Sequence, residues 1–276
     1  MNVFKRLGAL ARGREPGSKG KDQAKSENQQ ISKKQEVVVR LAKDDIKALA
    51  SAITDSIHEK FRSPVFQFEV MYRLQYSQDS AAYVAENMHS AFKLSGKENH
   101  LRYVLRKVGS GLILEFGVFQ GKSINLIADI LPDRQIHGFD SFEGLPEAWT
   151  GYNMAAATFN RKGELPTVKK NVALHKGLFS ETLAPFLAKH PDDVAFIHID
   201  CDLYSSTKIV LDALAHRIKP GTVIAFDEYH NYPQWRDHEH KAFTEFCKSY
   251  GVAYDYISYT YLQAAVQIKT ISVTAT

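Results

Sequence analysis

Apolar positions along the chain follow two different periods, and the change between them divides it. Over residues 37–61 they recur every three or four residues, with Leu41, Ile46, Leu49, Ile53 and Ile57 near one face. This reads as an amphipathic helix that Pro64 closes. "VFQFEVMYRLQYS" and "SAAYVAENMHSAFKL" read as further helices, and "KENHLRYVLRKV" as another, with Leu101, Val104, Leu105 and Val108 on one side. From residue 111 short continuous apolar runs take over: "GLILEFG" (111–117), "QIHGFD" (135–140), "VAFIHID" (194–200) and "TVIAFDEY" (222–229). Each reads as a buried strand, and helical stretches such as "SSTKIVLDALAHRI" and "WRDHEHKAFTEFCKSYG" lie between or after them. Alternation of this kind implies parallel strands joined by right-handed crossovers. The last two runs, "AYDYISYTY" and "LQAAVQIKTI", have no helix between them and should pair antiparallel. The predicted fold class is α/β: a Rossmann-like doubly wound sheet, mostly parallel with a C-terminal antiparallel hairpin, plus an N-terminal helical extension. The stretch 142–166 is long and irregular, as expected of an insert that covers a substrate.

Composition adds boundaries. The 276 residues, 44% hydrophobic, suit one large domain or one domain with an extension. Residues 1–35 hold nine Lys or Arg against Glu15, Asp22 and Glu27, a surplus of six in a chain whose net charge is +4. The remainder is therefore slightly acidic, and nucleic acid is not its expected partner. Three segments are predicted: a disordered basic tail over 1–35, a helical cap or oligomerisation segment over 36–100, and a ligand-binding sheet domain over 101–276, in a chain expected to self-associate. In the tail, Phe4, Leu7 and Leu10 interleave with Lys5, Arg6 and Arg12. That pattern suits either a solvated basic tail or a short helix touching anionic lipid. No apolar run approaches the roughly 18 residues that span a bilayer. With only Cys201 and Cys247, a cytoplasmic location is the expectation.

Candidate chemistry concentrates in "LEFGVFQGKSINL" (114–126) and at the strand ends Asp140, Asp200 and Asp227. Gly117, Gly121, Lys122 and Ser123 approximate the nucleoside-triphosphate loop, but the spacing is one residue short. Glu115 would also stand close to phosphate oxygens, where like charges about 4 Å apart repel by roughly 4 kcal/mol. A dinucleotide loop wants a second glycine where Phe119 stands. S-adenosylmethionine carries a sulfonium and an ammonium and no phosphate. Glu115 and Gly117 suit its charged end. Asp140, 19 residues beyond Gly121, suits its ribose hydroxyls.

The segments "ILEFGVFQGKSI", "GFDSFEGLPEAW", "HIDCDLYSSTKIVLDAL" and "PGTVIAFDEY" together resemble class I S-adenosylmethionine-dependent methyltransferases of the macrocin O-methyltransferase type, over about residues 80–268. The resemblance implies an O-methyltransferase acting on a hydroxyl of a sugar-containing or other small-molecule acceptor. It places Gly121, Ser123 and Ser141 beside the cofactor with Glu115, Gly117 and Asp140. It also implies a divalent cation, normally Mg2+, on Asp200, Asp227 and Glu228, and oxygen ligands suit such a hard cation. Glu228 stands where the family often has aspartate. The insert histidine that the family uses as a base is absent from "GYNMAAATFNRKG". His175, His230 and Asp202 remain as candidates, and Asp202 and His230 join Asp200 as the expected catalytic set. His198 reads as structural. Two rival readings are a cofactor-binding module without turnover and a P-loop-type nucleotidase.

Overall fold

The computed structural model describes residues 43–272. The expected tail over 1–35 lies outside them. The chain divides into two compact units, 1–69 and 70–276.

In the first unit, helix α1 runs over 43–62 and breaks at Ser63. Pro64 does not simply close it. Proline has no N–H to lose at a first helical position, and it opens α2, Pro64–Asn87. The two helices expected over 65–94 are therefore one up to Asn87, since no Pro or Gly interrupts residues 65–87. The apolar stripe of α1 is exposed along its length, at Ile46, Leu49, Ile53 and Ile57.

The second unit is built on an eight-stranded sheet: β1 Phe92–Lys93, β2 Leu112–Phe116, β3 Ile136–Asp140, β4 Val172–Lys176, β5 Val194–Ile199, β6 Ile218–Phe226, β7 Ala253–Tyr259 and β8 Ala264–Thr270. The order is β1-β7-β8-β6-β5-β2-β3-β4. Strands β4, β3, β2, β5 and β6 are parallel. The final hairpin is antiparallel as expected, but β8 inserts between β6 and β7. The helices of this unit are α3 Lys97–Val104, α4 Lys122–Ile130, α5 Phe179–Lys189, α6 Tyr204–Leu214 and α7 Glu239–Ser249. β1 pairs with β7, so the stretch 70–100 is built into the sheet unit.

Side chains alternate across a strand, and the two faces make two cores. Leu114, Phe116, Ile197, Ile199, Ile224 and Phe226 pack with Leu183, Phe186, Val210, Leu211, Phe243 and Phe246 of α5, α6 and α7. Ile113, Phe196, Val223 and Ala225 pack with Leu101, Val104, Ile124 and Ile127 of α3 and α4. Burying each large aliphatic or aromatic side chain stabilises by about 1.5–3 kcal/mol before entropy is counted. Continuous apolar strands are what a sheet covered on both faces requires.

Candidate active site

The register of the central strands positions the polar groups. Glu115 on β2 lies beside His198 on β5, which lies beside Ala225 on β6. With a period of two, the next positions on the same face are Gly117, Asp200 and Asp227. The pairing continues past the strand ends: the Asp200 N–H donates to Phe116 O (2.9 Å) and the Asp227 N–H to Ile199 O (2.9 Å). Gly117 has φ 91°, and a Cβ there would lie 1.7 Å from the carbonyl oxygen of Asp200. Its first service is therefore to let β2 turn away beside Asp200.

After Gly117 the chain wraps the carboxylate of Asp140. Asp140 Oδ2 accepts the N–H of Val118 (2.8 Å) and of Phe119 (2.7 Å), and Oδ1 accepts that of Phe142 (2.7 Å). Phe119 has φ 46°, a left-handed conformation that costs a non-glycine residue about 1–2 kcal/mol. Hydrogen bonds to an ionised carboxylate, worth roughly 1.5–3 kcal/mol each, offset it. This disposes of the phosphate-cradle reading: two loop amides that a phosphate would use already donate to a carboxylate.

The loop opens onto a cavity of ≈ 980 Å³. Such a volume lies at the large end for small-molecule sites and leaves room for two ligands. Gly117, Phe119, Ser123, Asp140 and Ser141 line it, as do Asp200, Asp202, Glu228 and Lys97. The insert supplies Trp149, Tyr152, Met154 and Phe159. It is irregular as expected, with φ between 53° and 66° at Phe142, Asn153, Ala157, Phe159 and Lys162. Glu147 Oε1, accepting from Ser205 Oγ at 2.6 Å, clips it to the start of α6.

Not every expected residue reaches this wall. Glu115 is fully buried beneath the loop, where Ser123 Oγ donates to Oε1 (3.1 Å) and His198 Nδ1 meets Oε2 (2.8 Å). Burial pulls His198 down, but the hydrogen bond and charge of Glu115 outweigh it and hold the ring above the usual imidazole range. His198 thus joins two acids, since its Nε2 stands 4.0 Å from Asp227 Oδ1. His230 is buried away from the cavity lining. Its N–H and that of Tyr229 donate to Leu262 O, which turns the ring toward the backbone of Thr260 and Gln263. Burial drops its pKa to about 4. His175 pairs with His137 (3.1 Å) and stacks on Phe139, also off the wall. Tyr229, Tyr232 and Trp235 are core residues.

Acids gather at the ends of β5 and β6. Lys97 Nζ bridges Asp200 Oδ2 and Asp227 Oδ2, at 2.7 Å from each. Burial lowers the lysine, but the two aspartates outweigh it and raise it. Asp202, Glu228 and Glu239 are pushed well above the carboxylate range, first by burial and then by one another and the neighbouring aspartates. Asp227 is raised by burial and by Asp200. Asp227 Oδ1 and Glu228 Oε2 are buried without a hydrogen-bond partner. Six carboxylates, Glu115 among them, against one lysine and one histidine, with orphaned oxygens, are short of positive charge. Ligand atoms of Asp200, Asp202 and Glu228 lie within 4.8 Å of one another, as do those of His198, Asp200 and Asp227. The expected trio of Asp200, Asp227 and Glu228 is thus spread over two groups that share Asp200; the all-carboxylate one suits a hard cation, and the one with the His198 imidazole, already bonded to Glu115, does not.

Sequence reasoning missed Lys97 and Glu239 and assigned His198 to structure alone. The same-face spacing of His198 and Asp200 was the available signal. Lys97 carried none, because its role depends on α3 folding over β6 and β7.

Residues 114–229 match a family model described as a methyltransferase domain. This stretch runs from β2 past the end of β6, so the cavity and acid cluster are built largely from the residues that match a methyltransferase domain, on a Rossmann-like sheet. Similar solved structures include the calicheamicin methyltransferase CalS11, at 21% identity and a TM-score of 0.48, covering 74% of this chain and 93% of that one. The O-methyltransferase NovP matches at 21% identity and a TM-score of 0.49, over 73% of this chain and 99% of that one. An O-methyltransferase from Bacillus cereus in complex with SAH matches at 16% identity and a TM-score of 0.41, over 71% and 91%. No curated protein matches the chain. Among the described residues, no helix is long and apolar enough to cross a membrane.

Proposed function

We propose that this protein is an S-adenosylmethionine-dependent, magnesium-assisted O-methyltransferase of the macrocin type, acting on a hydroxyl of a sugar-containing or other small-molecule acceptor. The observation that carries this reading is one cavity whose wall holds both the loop folded on Asp140 and the acids Asp200, Asp202 and Glu228. The methyltransferase-domain match over the same residues supports it.

The Gly117–Ser123 loop, Asp140 and Ser141 would hold S-adenosylmethionine, which would supply the methyl group. Asp200, Asp227 and Glu228 would hold magnesium, which would supply Lewis-acid activation of the acceptor hydroxyl. Asp202 is the base this geometry favours over His230. It lines the cavity, whereas His230 does not. The positive φ of Asp202, 66°, is the kind of backbone strain that collects at working sites. Tyr152, stacked on Tyr232 at 5.1 Å, gives the acceptor an aromatic wall. Holding both reactants in line contributes about 7–11 kcal/mol when well aligned. The exposed stripe of α1 supports self-association.

Calorimetry with S-adenosylhomocysteine tests the cofactor half. The wild type should bind it and Asp140→Ala should bind at least tenfold more weakly. Methyl transfer to a panel of sugar hydroxyls, with magnesium or with chelator, tests the rest. Asp200→Asn and Asp227→Asn should lose turnover while keeping S-adenosylhomocysteine. Stabilisation by ATP with magnesium but not by S-adenosylhomocysteine would overturn the proposal. Binding without turnover on any acceptor would favour the non-catalytic module.

A further inference from the structure

Lys97 lies outside the matched stretch and comes from α3, more than 100 residues before the aspartates it meets. Its ammonium touches Oδ2 of both Asp200 and Asp227, at 2.7 Å each. Those carboxylates are two of the three assigned above to magnesium. An ammonium and a divalent ion cannot share one pair of oxygens. They need the same lone pairs, and two cations a few ångströms apart in a partly buried site repel by several kcal/mol.

We propose that Lys97 is a tethered counter-ion that holds the divalent-cation position closed until it withdraws. This rests on the metal reading above. The lysine satisfies one oxygen of each aspartate, so the empty site does not bury a wholly uncompensated acid pair, a state that would be strongly destabilising. Asp227 Oδ1 and Glu228 Oε2 stay without partners, ready for a cation with more coordination positions than an ammonium has protons to offer. The geometry permits withdrawal. The Lys97 side chain is 35% exposed and lines the cavity, whereas that of Asp227 is 7% exposed. Leu101 and Val104 anchor α3 in the core, so the helix stays while the flexible four-carbon stem swings into the cavity. Cation binding then sets where a cavity-wall ammonium lies, which links metal loading to the shape of the acceptor site.

Manganese titration of the full chain, without cofactor or acceptor and followed by electron paramagnetic resonance, tests this. Lys97→Met should bind Mn2+ at least tenfold more tightly than wild type, and Lys97→Arg, which keeps the charge, should not gain. In chelator, Lys97→Met should melt below wild type, and Mn2+ should raise its Tm by more. Equal or weaker Mn2+ affinity in Lys97→Met overturns the counter-ion role and leaves the metal reading standing. Absence of Mn2+ binding in both proteins overturns the metal reading and this one with it. Should Lys97→Met fail to fold, Lys97→Gln carries the same comparison.

Discussion

At the scale of single residues, the glycine loop contains two glycines with different duties. Gly117 has no room for a side chain, because its Cβ would lie 1.7 Å from Asp200 O and 2.6 Å from Asp200 C, both backbone atoms that cannot step aside cheaply. Gly121 also has a positive φ, 78°, but the nearest atoms to its Cβ are those of Pro166 at 3.4 Å. Gly117→Ala should therefore destabilise by about 3 kcal/mol or more, through both overlap and conformation. Gly121→Ala should cost only the conformational part, about 1–2 kcal/mol. Urea denaturation of the two variants checks the order. A Gly117→Ala protein as stable as Gly121→Ala would mean that β2 and β5 do not approach as closely as described. Gly117→Ala should also displace Asp200, so whatever fraction folds should bind Mn2+ poorly.

At the scale of elements, the stretch of α2 from residue 70 on belongs to the sheet unit, and Asp79 is one of the side chains that hold it there, beside Ser77, Ser80 and Tyr83. Asp79 Oδ2 accepts Trp235 Nε1–H (2.9 Å) and Arg236 Nε–H (3.0 Å), while Oδ1 accepts from Arg236 Nη2 (2.9 Å). The arginine part is about half exposed and worth at most ~1 kcal/mol. The indole is buried, and an N–H stranded there costs about 1–3 kcal/mol. Asp79→Ala should destabilise by roughly 2 kcal/mol and Asp79→Asn by less than half of that, since the amide oxygen can still accept from Trp235. Equal losses in urea would assign the fastening to the ion pair instead. The same scale separates what was legible in the sequence from what was not. β2, β3, β5 and β6 announced themselves as apolar runs bounded by glycine or acid, and the hairpin by its missing crossover helix. β4 and α5 went unread: "VALHK" is short and half-buried at the sheet edge, and Pro185 sits inside α5. The stacking of acids at the ends of adjacent parallel strands was legible because strand-end position alone brings Asp200 and Asp227 together. The facing of Asp202 into the cavity and of His230 away from it was not, since loop conformation decides both.

At the scale of the whole molecule, buried titratable groups fall into two sets that pull stability in opposite directions with pH. Asp202, Asp227, Glu228 and Glu239 have raised folded-state pKa values, so their burial weighs most heavily once pH has risen through those values, and acid relieves it. His100, His137, His230 and His240 are lowered to about 4 from 6.5, chiefly by burial. Above pH 6.5 they are neutral both folded and unfolded and cost nothing. As pH falls from 6.5 toward 4 the unfolded chain takes up protons that the folded chain refuses, and stability drops. His137 isolates this limb, because it lies on β3 among His175, His190 and Phe186, away from the acid cluster. Its two histidine neighbours add to the lowering, so nothing nearby compensates a proton there. At pH 5 the difference of 1.5 units below 6.5 corresponds to at most about 2 kcal/mol. His137→Gln carries no titrating ring, so its stability measured against wild type should rise by roughly 1–2 kcal/mol between pH 7.5 and pH 5, whatever the substitution costs at pH 7.5. Urea denaturation of both proteins at the two pH values reads this directly. A constant difference would place the acid sensitivity elsewhere. Magnesium should act on the opposite limb alone, raising stability at pH 7.5 by satisfying the acids while leaving the pH dependence that His137→Gln removes untouched.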